Sequence, residues 1–321
     1  MPSKANSAVQ GVGCKLSLSF HAIIEMMNDH LSEDDVRDAI VSGIQLDNPD
    51  GDGDKYEKGC IIVIADNKPC HFNVITAWNT TTNNHHSIKD KNYRRNRYER
   101  RKKRKDFCSR CEKGVLEGGM YPLEISGKVL GKFEGIGCPY CGMIYFSEKS
   151  TPEIRKILAG FKIRPLDPTE LLLILLGSSK RPVKGAISLM KASFLLFKEK
   201  LGEFDIPVMS PNFIPYYYGP YSFDIDQAIY SLETHGSITI TGKRASDKEH
   251  FALTDKGIDE TNKLYESLPK NLREHLYQWR RGIDEMGNDG ILKDVYKKYQ
   301  SYTIKSKIKD KVLPNWAHKR A

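Results

Sequence analysis

The stretches FCSRCEKG (107–114) and GCPYCGMIYF (137–146) decide how this chain is read. Each holds two cysteines separated by two residues, so one tight turn presents two sulfurs to one ion with backbone amides behind them. Two such turns complete a tetrahedron, and Cys108, Cys111, Cys138 and Cys141 are the expected ligands of a single zinc ion. With all four positions taken by protein thiolates, no position is left for a substrate water, so the zinc is expected to be structural rather than catalytic. The competing readings are a redox dithiol or an iron–sulfur site; two matched knuckles without a thioredoxin-like βαβ pattern speak against them. Between the turns, LEISGKVLGKFEGI (123–136) alternates apolar positions around Gly127 and Gly131 and predicts a small hairpin. Gly114 and Gly142 follow the paired cysteines, where knuckle backbones turn.

Working outward, 321 residues are more than one core usually organises, which predicts two or three domains, and the helix and strand patterns read below make the expected class an α+β multidomain protein. An apolar share of 39% and a charged share of 28% fit folded globular domains rather than long disorder. The longest aliphatic run, Leu171 to Leu176, falls far short of the roughly 20 residues a membrane span needs, so no membrane partner is expected. Met1 to Gln10 show no secretory apolar block, and a cytoplasmic location is the expectation. The seven cysteines agree with a reducing compartment; Cys14, Cys60 and Cys70 read as small apolar residues or free thiols.

The net charge of +9 becomes informative once it is located. Residues 89–105, KDKNYRRNRYERRKKRK, carry eleven Lys and Arg against two acids, so this segment holds the whole excess. Such a segment neutralises phosphates and releases their counterions. Arg94, Arg95, Arg97, Arg100, Arg101, Lys102, Lys103, Arg104 and Lys105 are therefore candidate nucleic-acid contacts, with Tyr93 and Tyr98 placed to stack on bases. A solvated linker is the plainer alternative.

From Leu16 to Ile88 the pattern reads helix, helix, strand, strand. Ser32 caps a helix over 33–41 with Asp35 three residues on, Leu31 and Val36 can form a hydrophobic staple, and Gly43 ends it. DNPDGDGD (47–54) reads as a solvated loop; Lys58 stands where a calcium loop starting at Asp47 needs its glutamate. CIIVIA (60–65) and HFNVITAW (71–78) have the β-branched content of a hairpin. The run FHAIIEMMNDHLSEDDVRDAI (20–40) together with IIVIADNKPCHFNVITAW (61–78) resembles the small domain family akin to the BrnT-type toxins, through His21, Ala22, Met26, Asp35 and Val36. That resemblance implies a RelE-like ribonuclease fold. Glu25 and Asp29 stand where members commonly carry basic residues, and such a ribonuclease needs positive charge around its phosphorane. His21 and His71 are the candidate acid and base, with His85 and His86 further histidines nearby in sequence. The cysteine segment resembles the zinc-finger portion of the YgiT and MqsA antitoxins, which pair CxxC with a distant CPxCG.

Beyond a short helix beginning at Thr151 and Pro152 and a linker FKIRPLDP (161–168), Asp167, Pro168 and Glu170 open a buried helix through LLLILL (171–176) that Gly177 ends. A second helix is expected from Val183 to Lys200, with Ile187, Met190, Phe194, Leu195 and Phe197 on one side and Lys184, Lys191 and Lys198 on another. Ser222 opens a third, with Ile225, Ala228, Ile229 and Leu232 facing inward and Gly236 as its stop. SITIT (237–241) and HFALT (250–254) then alternate as two strands, and three helices followed by such a hairpin describe a winged helix. PNFIPYYYGPYSFDIDQAIYSLETHG (211–236) resembles the YwgA-like proteins and, more remotely, the SocA-like or Panacea antitoxins, through Tyr216, Tyr218, Gly219, Pro220, Tyr221 and Ser222. Tyr216, Tyr218 and Tyr221 offer rigid amphipathic surface to a protein partner. Lys243, Arg244 and Lys248 of the wing are the basic candidates for DNA, whereas Asp224, Asp226 and Glu233 on the third helix would repel phosphates.

The expected organisation is a disordered tail (1–15), a BrnT-like α+β domain (16–88), a basic linker (89–106), a four-cysteine zinc ribbon (107–150), a connector (151–166), a YwgA-like winged helix (167–268) and a Lys-rich helical extension (269–321) with Trp279 and Trp316. The function expected from this is a zinc-containing nucleic-acid- or partner-binding regulator of toxin–antitoxin type. The alternative is a metal-independent RelE-like ribonuclease in the first domain.

Overall fold

The computed structural model describes residues 14–46, 48, 53–68, 71–80, 107–108, 110–111, 113–242 and 248–313. It is an α+β protein of two compact units, one made of 1–123 and 129–160, the other of 124–128 and 161–321.

The first unit is built on a mixed sheet. β1 (Lys15–Ser19) runs into α1 (Phe20–Asn28) and α2 (Glu33–Ser42), and the chain continues as β2 (Ile44–Leu46), β3 (Asp54–Lys58), β4 (Ile61–Lys68) and β5 (His71–Asn79). After the basic segment come β6 (Glu117–Ile125), β7 (Lys128–Gly137), β8 (Ile144–Ser147) and α3 (Thr151–Ala159). The strand order is β2-β3-β4-β5-β1-β8-β7-β6. β1 is the seam: it pairs parallel with β5 on one side and antiparallel with β8 on the other.

Local chemistry explains the elements. In β1, Leu16 and Leu18 are buried on one face and Ser17 and Ser19 on the other. Ser19 also caps α1, its oxygen accepting from the Ala22 amide, so one residue ends the strand and starts the helix. α2 has the expected capping box, with Ser32 and Asp35 each taking the other's backbone amide. Arg155 on α3 donates to Leu31 O at 3.0 Å and pairs with Glu33, and Arg37 on α2 donates to Cys14 O at 2.8 Å and pairs with Glu148, which fastens the helices to the chain that flanks them. Ser126 and Gly127, with φ of 49° and 76°, form the two-residue turn of the expected hairpin.

Three expectations change here. The tail was expected to reach residue 15, but Lys15 already opens β1; five residues of Leu/Ser alternation are too short a signal until the partners on both sides are known. Helix, helix, strand, strand omits β1, β2 and β3, and Asp54, expected in the loop, begins β3. The line drawn between a domain at 16–88 and a ribbon at 107–150 does not divide the sheet, because β8 pairs with β1.

The second unit begins with α4 (Pro168–Gly177), capped by Asp167 and Glu170 as expected, with all of Leu171 to Leu176 buried. β9 (Val183–Lys184) follows, then α5 (Ala186–Leu195), which continues as a π-helical turn over Leu196–Lys200. β10 (Ile214–Tyr216), β11 (Gly219–Tyr221), α6 (Phe223–Thr234), β12 (Ile238–Thr241), β13 (His250–Leu253), α7 (Asp255–Glu266), α8 (Leu272–Lys298) and α9 (Lys309–Val312) complete it. β12, β13 and β9 form a three-stranded sheet, and β10 pairs with β11. The long α8 is interrupted at Gly287, where φ is 62°, and Trp279 on it packs against the core while Trp316 lies outside the described residues.

The second helix differs from its expectation at its start and in its facing, while its far end is Lys200 as expected, reached through the π-helical turn. Val183 and Lys184 are a strand, because Gly185 takes φ 83° and sends the chain against His250 and Phe251. Ser188 through Leu195 are all buried, so the helix has no polar face to assign. Lys191, expected outside, is 2% exposed, while Ile187, expected inside, is 38% exposed. The Lys191 ammonium donates to Pro220 O at 2.7 Å, and burial pulls its pKa down to about 7.

Between about 7 and the ordinary 10.5, the unfolded chain therefore holds a proton that the folded chain does not, so stability rises with pH across that window. Replacing Lys191 by Met should remove that rise, a difference on the order of a few kcal/mol at neutral pH. Urea unfolding of both proteins from pH 6.5 to 10 measures it; parallel stability curves would contradict the assignment.

Candidate metal centre

Cys108, Cys111, Cys138 and Cys141 are buried, and their sulfurs lie within 4.8 Å of one another. Cys108 Sγ and Cys141 Sγ are 3.7 Å apart, as are Cys111 Sγ and Cys138 Sγ. Zinc–sulfur bonds of about 2.3 Å place tetrahedral sulfurs about 3.8 Å apart, so these two sulfur pairs already stand at the edge length of a thiolate-bound zinc.

The backbone prepares this geometry. The Cys108 amide donates to Gly114 O at 2.6 Å and Phe107 bridges Val115, which closes the first turn. In the second turn the Cys138 amide donates to Met143 O at 2.8 Å and the Gly142 amide to Cys138 O at 2.9 Å, with Gly142 at φ 78°. The Gly114 amide points at Cys111 Sγ from 3.5 Å, as amides behind a thiolate do. A Cβ on Gly114 would fall 2.4 Å from Cys138 Sγ, so only glycine lets the two turns close on each other.

The four thiols compete for charge. Cys108 holds the thiols of Cys111 and Cys138 below the ordinary range, while Cys111 raises Cys108 and Cys108 raises Cys141. Four thiolates at this spacing need a dication, and the all-sulfur donor set suits zinc. A closed set of four ligands would leave that ion no exchangeable position, so its contribution is to hold the turns together.

The histidines are placed differently. His71 is level with Lys15 at the start of β1, and its Nε2 is 2.9 Å from Ser17 Oγ. His21 is the second residue of α1, which follows the other end of β1. Beside Ser17 in the ladder, Asn73 is 1% exposed with neither amide atom hydrogen-bonded.

In the second unit Tyr216 and Tyr221 are half-buried and stacked at 4.8 Å, and Tyr218 is 45% exposed. Tyr217, which the sequence did not single out, stacks on Tyr216 at 4.4 Å and is 41% exposed. Lys248 is exposed on the approach to β13. Arg94 to Lys105, Lys243, Arg244, His85, His86 and Cys70 lie outside the described residues. Among the described residues, no helix is long and apolar enough to cross a membrane.

Protein purified without chelator should carry one zinc per chain by elemental analysis. Cys111→Ser or Cys138→Ser should lose most of it and lower the unfolding midpoint of the first unit, since binding energy for such an ion is folding energy of roughly several kcal/mol. Metal-free preparations with unchanged stability would rule the centre out.

No family model, no curated protein and no solved structure matches the chain.

Proposed function

We propose that this chain is a zinc-containing regulator of toxin–antitoxin type that binds nucleic acid or a protein partner, and that its metal performs no catalysis. The observation that carries the proposal is the closed cluster of four buried sulfurs, whose chemistry is structural. The segment 89–105, with its charge of +9, ends three residues before Cys108, so the cluster anchors a polycation. In the second unit, α4, β9, α5, α6, β12 and β13 follow in the order of a winged helix, which supports a binding module. The resemblances to BrnT-type, YgiT/MqsA-type and YwgA-like or SocA/Panacea-like proteins point to the same class.

The alternative, a RelE-like ribonuclease, draws support from the Ser17–His71 hydrogen bond on the polar face of β1.

Binding to RNA and to duplex DNA over a salt series, with cleavage followed in parallel, tests the proposal. Affinity should fall steeply with salt, and replacing the Lys and Arg of 94–105 by Gln should weaken binding on the order of tenfold or more and flatten the slope. RNA should remain intact. Cleavage that His21→Ala or His71→Ala abolishes would establish the enzyme instead.

A further inference from the structure

The chain enters β9 through SSKRPVK (178–184), which holds Lys180, Arg181 and Lys184 and no acid. All three residues are exposed, and among the described residues none of their side chains meets a carboxylate. By contrast, Arg164 pairs with Glu170, Lys200 with Glu203, Lys256 with Glu260, Arg281 with Glu285 and Lys298 with Asp294. Acids are thus within reach of many surface cations of this unit but not of these.

A buried charge holds the run in place. Arg280 on α8 is 1% exposed; its guanidinium donates to Leu175 O at 3.2 Å and to Arg181 O at 3.4 Å, and its Nε donates to Asp284 at 2.9 Å. Burying a guanidinium is costly unless it is paired and hydrogen-bonded, and here its bonds go to the last turn of α4 and to the basic run itself. The Arg181 amide donates to Ser179 Oγ at 3.0 Å, and Pro182 fixes one backbone angle, so the cations stand on a stiff support. The carboxylate of Asp284 balances Arg280.

Strand pairing carries the same character onto the sheet. Lys184 is level with His250, and His250 with Thr241, so the three lie in one row across β9, β13 and β12. Thr239 and Thr241 are exposed on that face, with Ala252 beside Thr239, while Ile238 and Phe251 are buried on the other. Glu249, one residue before His250, falls on the buried side and is 5% exposed. The third helix has the opposite character: α6 carries Asp224, Asp226 and Glu233 and no Lys or Arg.

We propose that the SSKRPVK run and the outer face of the β9, β13 and β12 sheet bind the phosphate backbone of duplex DNA, with Lys180, Arg181 and Lys184 on phosphates and the threonine hydroxyls donating beside them. A duplex fits because it turns its phosphates outward and keeps its bases stacked, whereas the face holds no Phe, Tyr or Trp on which the bases of a single strand could stack. Phosphate contacts carry no sequence information, so duplexes of unrelated sequence bind alike. The inference rests on the nucleic-acid reading proposed above; it moves the contact of the second unit away from α6 and uses none of the residues of 94–105.

Fluorescence anisotropy of the full chain with labelled duplex DNA of about 20 base pairs over a salt series tests it. Lys180→Gln/Arg181→Gln/Lys184→Gln should weaken binding on the order of tenfold and lower the salt slope by about 2 to 3. Lys180→Arg/Arg181→Lys/Lys184→Arg, which keeps the charge, should bind like the wild type. Asp224→Asn/Asp226→Asn should leave the affinity within about twofold, because charges away from the contact face are screened by salt; a large gain would put α6 on the phosphates instead. Circular dichroism melting of each variant shows that it is folded. Unchanged affinity and slope in a folded glutamine variant would overturn the interface, even where neutralising 94–105 abolishes binding and the wider proposal stands. A wild type that binds no duplex at low salt would remove both. A single strand of equal length that binds more tightly than the duplex and loses as much from the glutamine substitutions would also overturn the interface, as would polyglutamate that displaces the label as well as unlabelled duplex does at matched charge.

Discussion

The first unit depends on β1 being paired along both edges. β5 reaches it after the chain has run through α1, α2 and three antiparallel strands, and β8 reaches it from the other direction. Five residues therefore join two meanders into one sheet. The strand's Ser face is what makes the position specific: Ser17 meets His71, Ser19 donates to Ile75 O at 2.7 Å, and the same Ser19 caps α1. A one-residue slip would bring Leu16 and Leu18 onto that polar face and strand all three hydrogen bonds. Register, helix start and polar satisfaction are thereby set by the same few atoms.

In the second unit the comparable point is the contact of Lys191 with Pro220. A buried amine with one acceptor is expensive, and an apolar residue of the same length would fill the space at less cost. What the contact secures is the turn of GPY after Tyr217 and Tyr218, where Gly219 already takes a conformation other residues avoid. Two local rules, polar outside and small residues at turns, are broken within one cluster. Sites that break local rules while the surrounding core obeys them are where function is best sought.

The legible parts of the sequence were those in which neighbouring residues decide the outcome. Ser32 with Asp35, Asp167 with Glu170, and Ser222 ahead of α6 are caps made within a few positions, and each forms as read. The two CxxC turns were legible for the same reason, and their convergence followed from the chemistry of four thiols. Hidden parts needed partners far away in the chain. Lys15 to Ser19 become a strand only because residues some 55 and 130 positions later lie beside them. Lys191 is inside because α5 is surrounded, which no periodicity within the helix reports. Tyr217 stood between two residues singled out by resemblance and was passed over; its signal was the turn chemistry itself.

The basic segment is preceded by β5 and followed by the first cysteine turn, which leads into β6, and β5 and β8 lie on opposite sides of β1. Whatever conformation 81–106 takes, its ends are closed at an entropic cost that grows only slowly with length, roughly as (3/2)RT ln n. That cost is offset at one end by the β1–β5 ladder, which needs no ion. At the other it falls on the turn from Phe107 to Val115, where, among the described residues, an isolated bridge and the amides of Cys108 and Gly114 hold the chain, and a metal shared by the sulfurs would add to them. The ion proposed for the four cysteines would then serve the proposed binding without touching a ligand: it would keep the second end of the polycation in place.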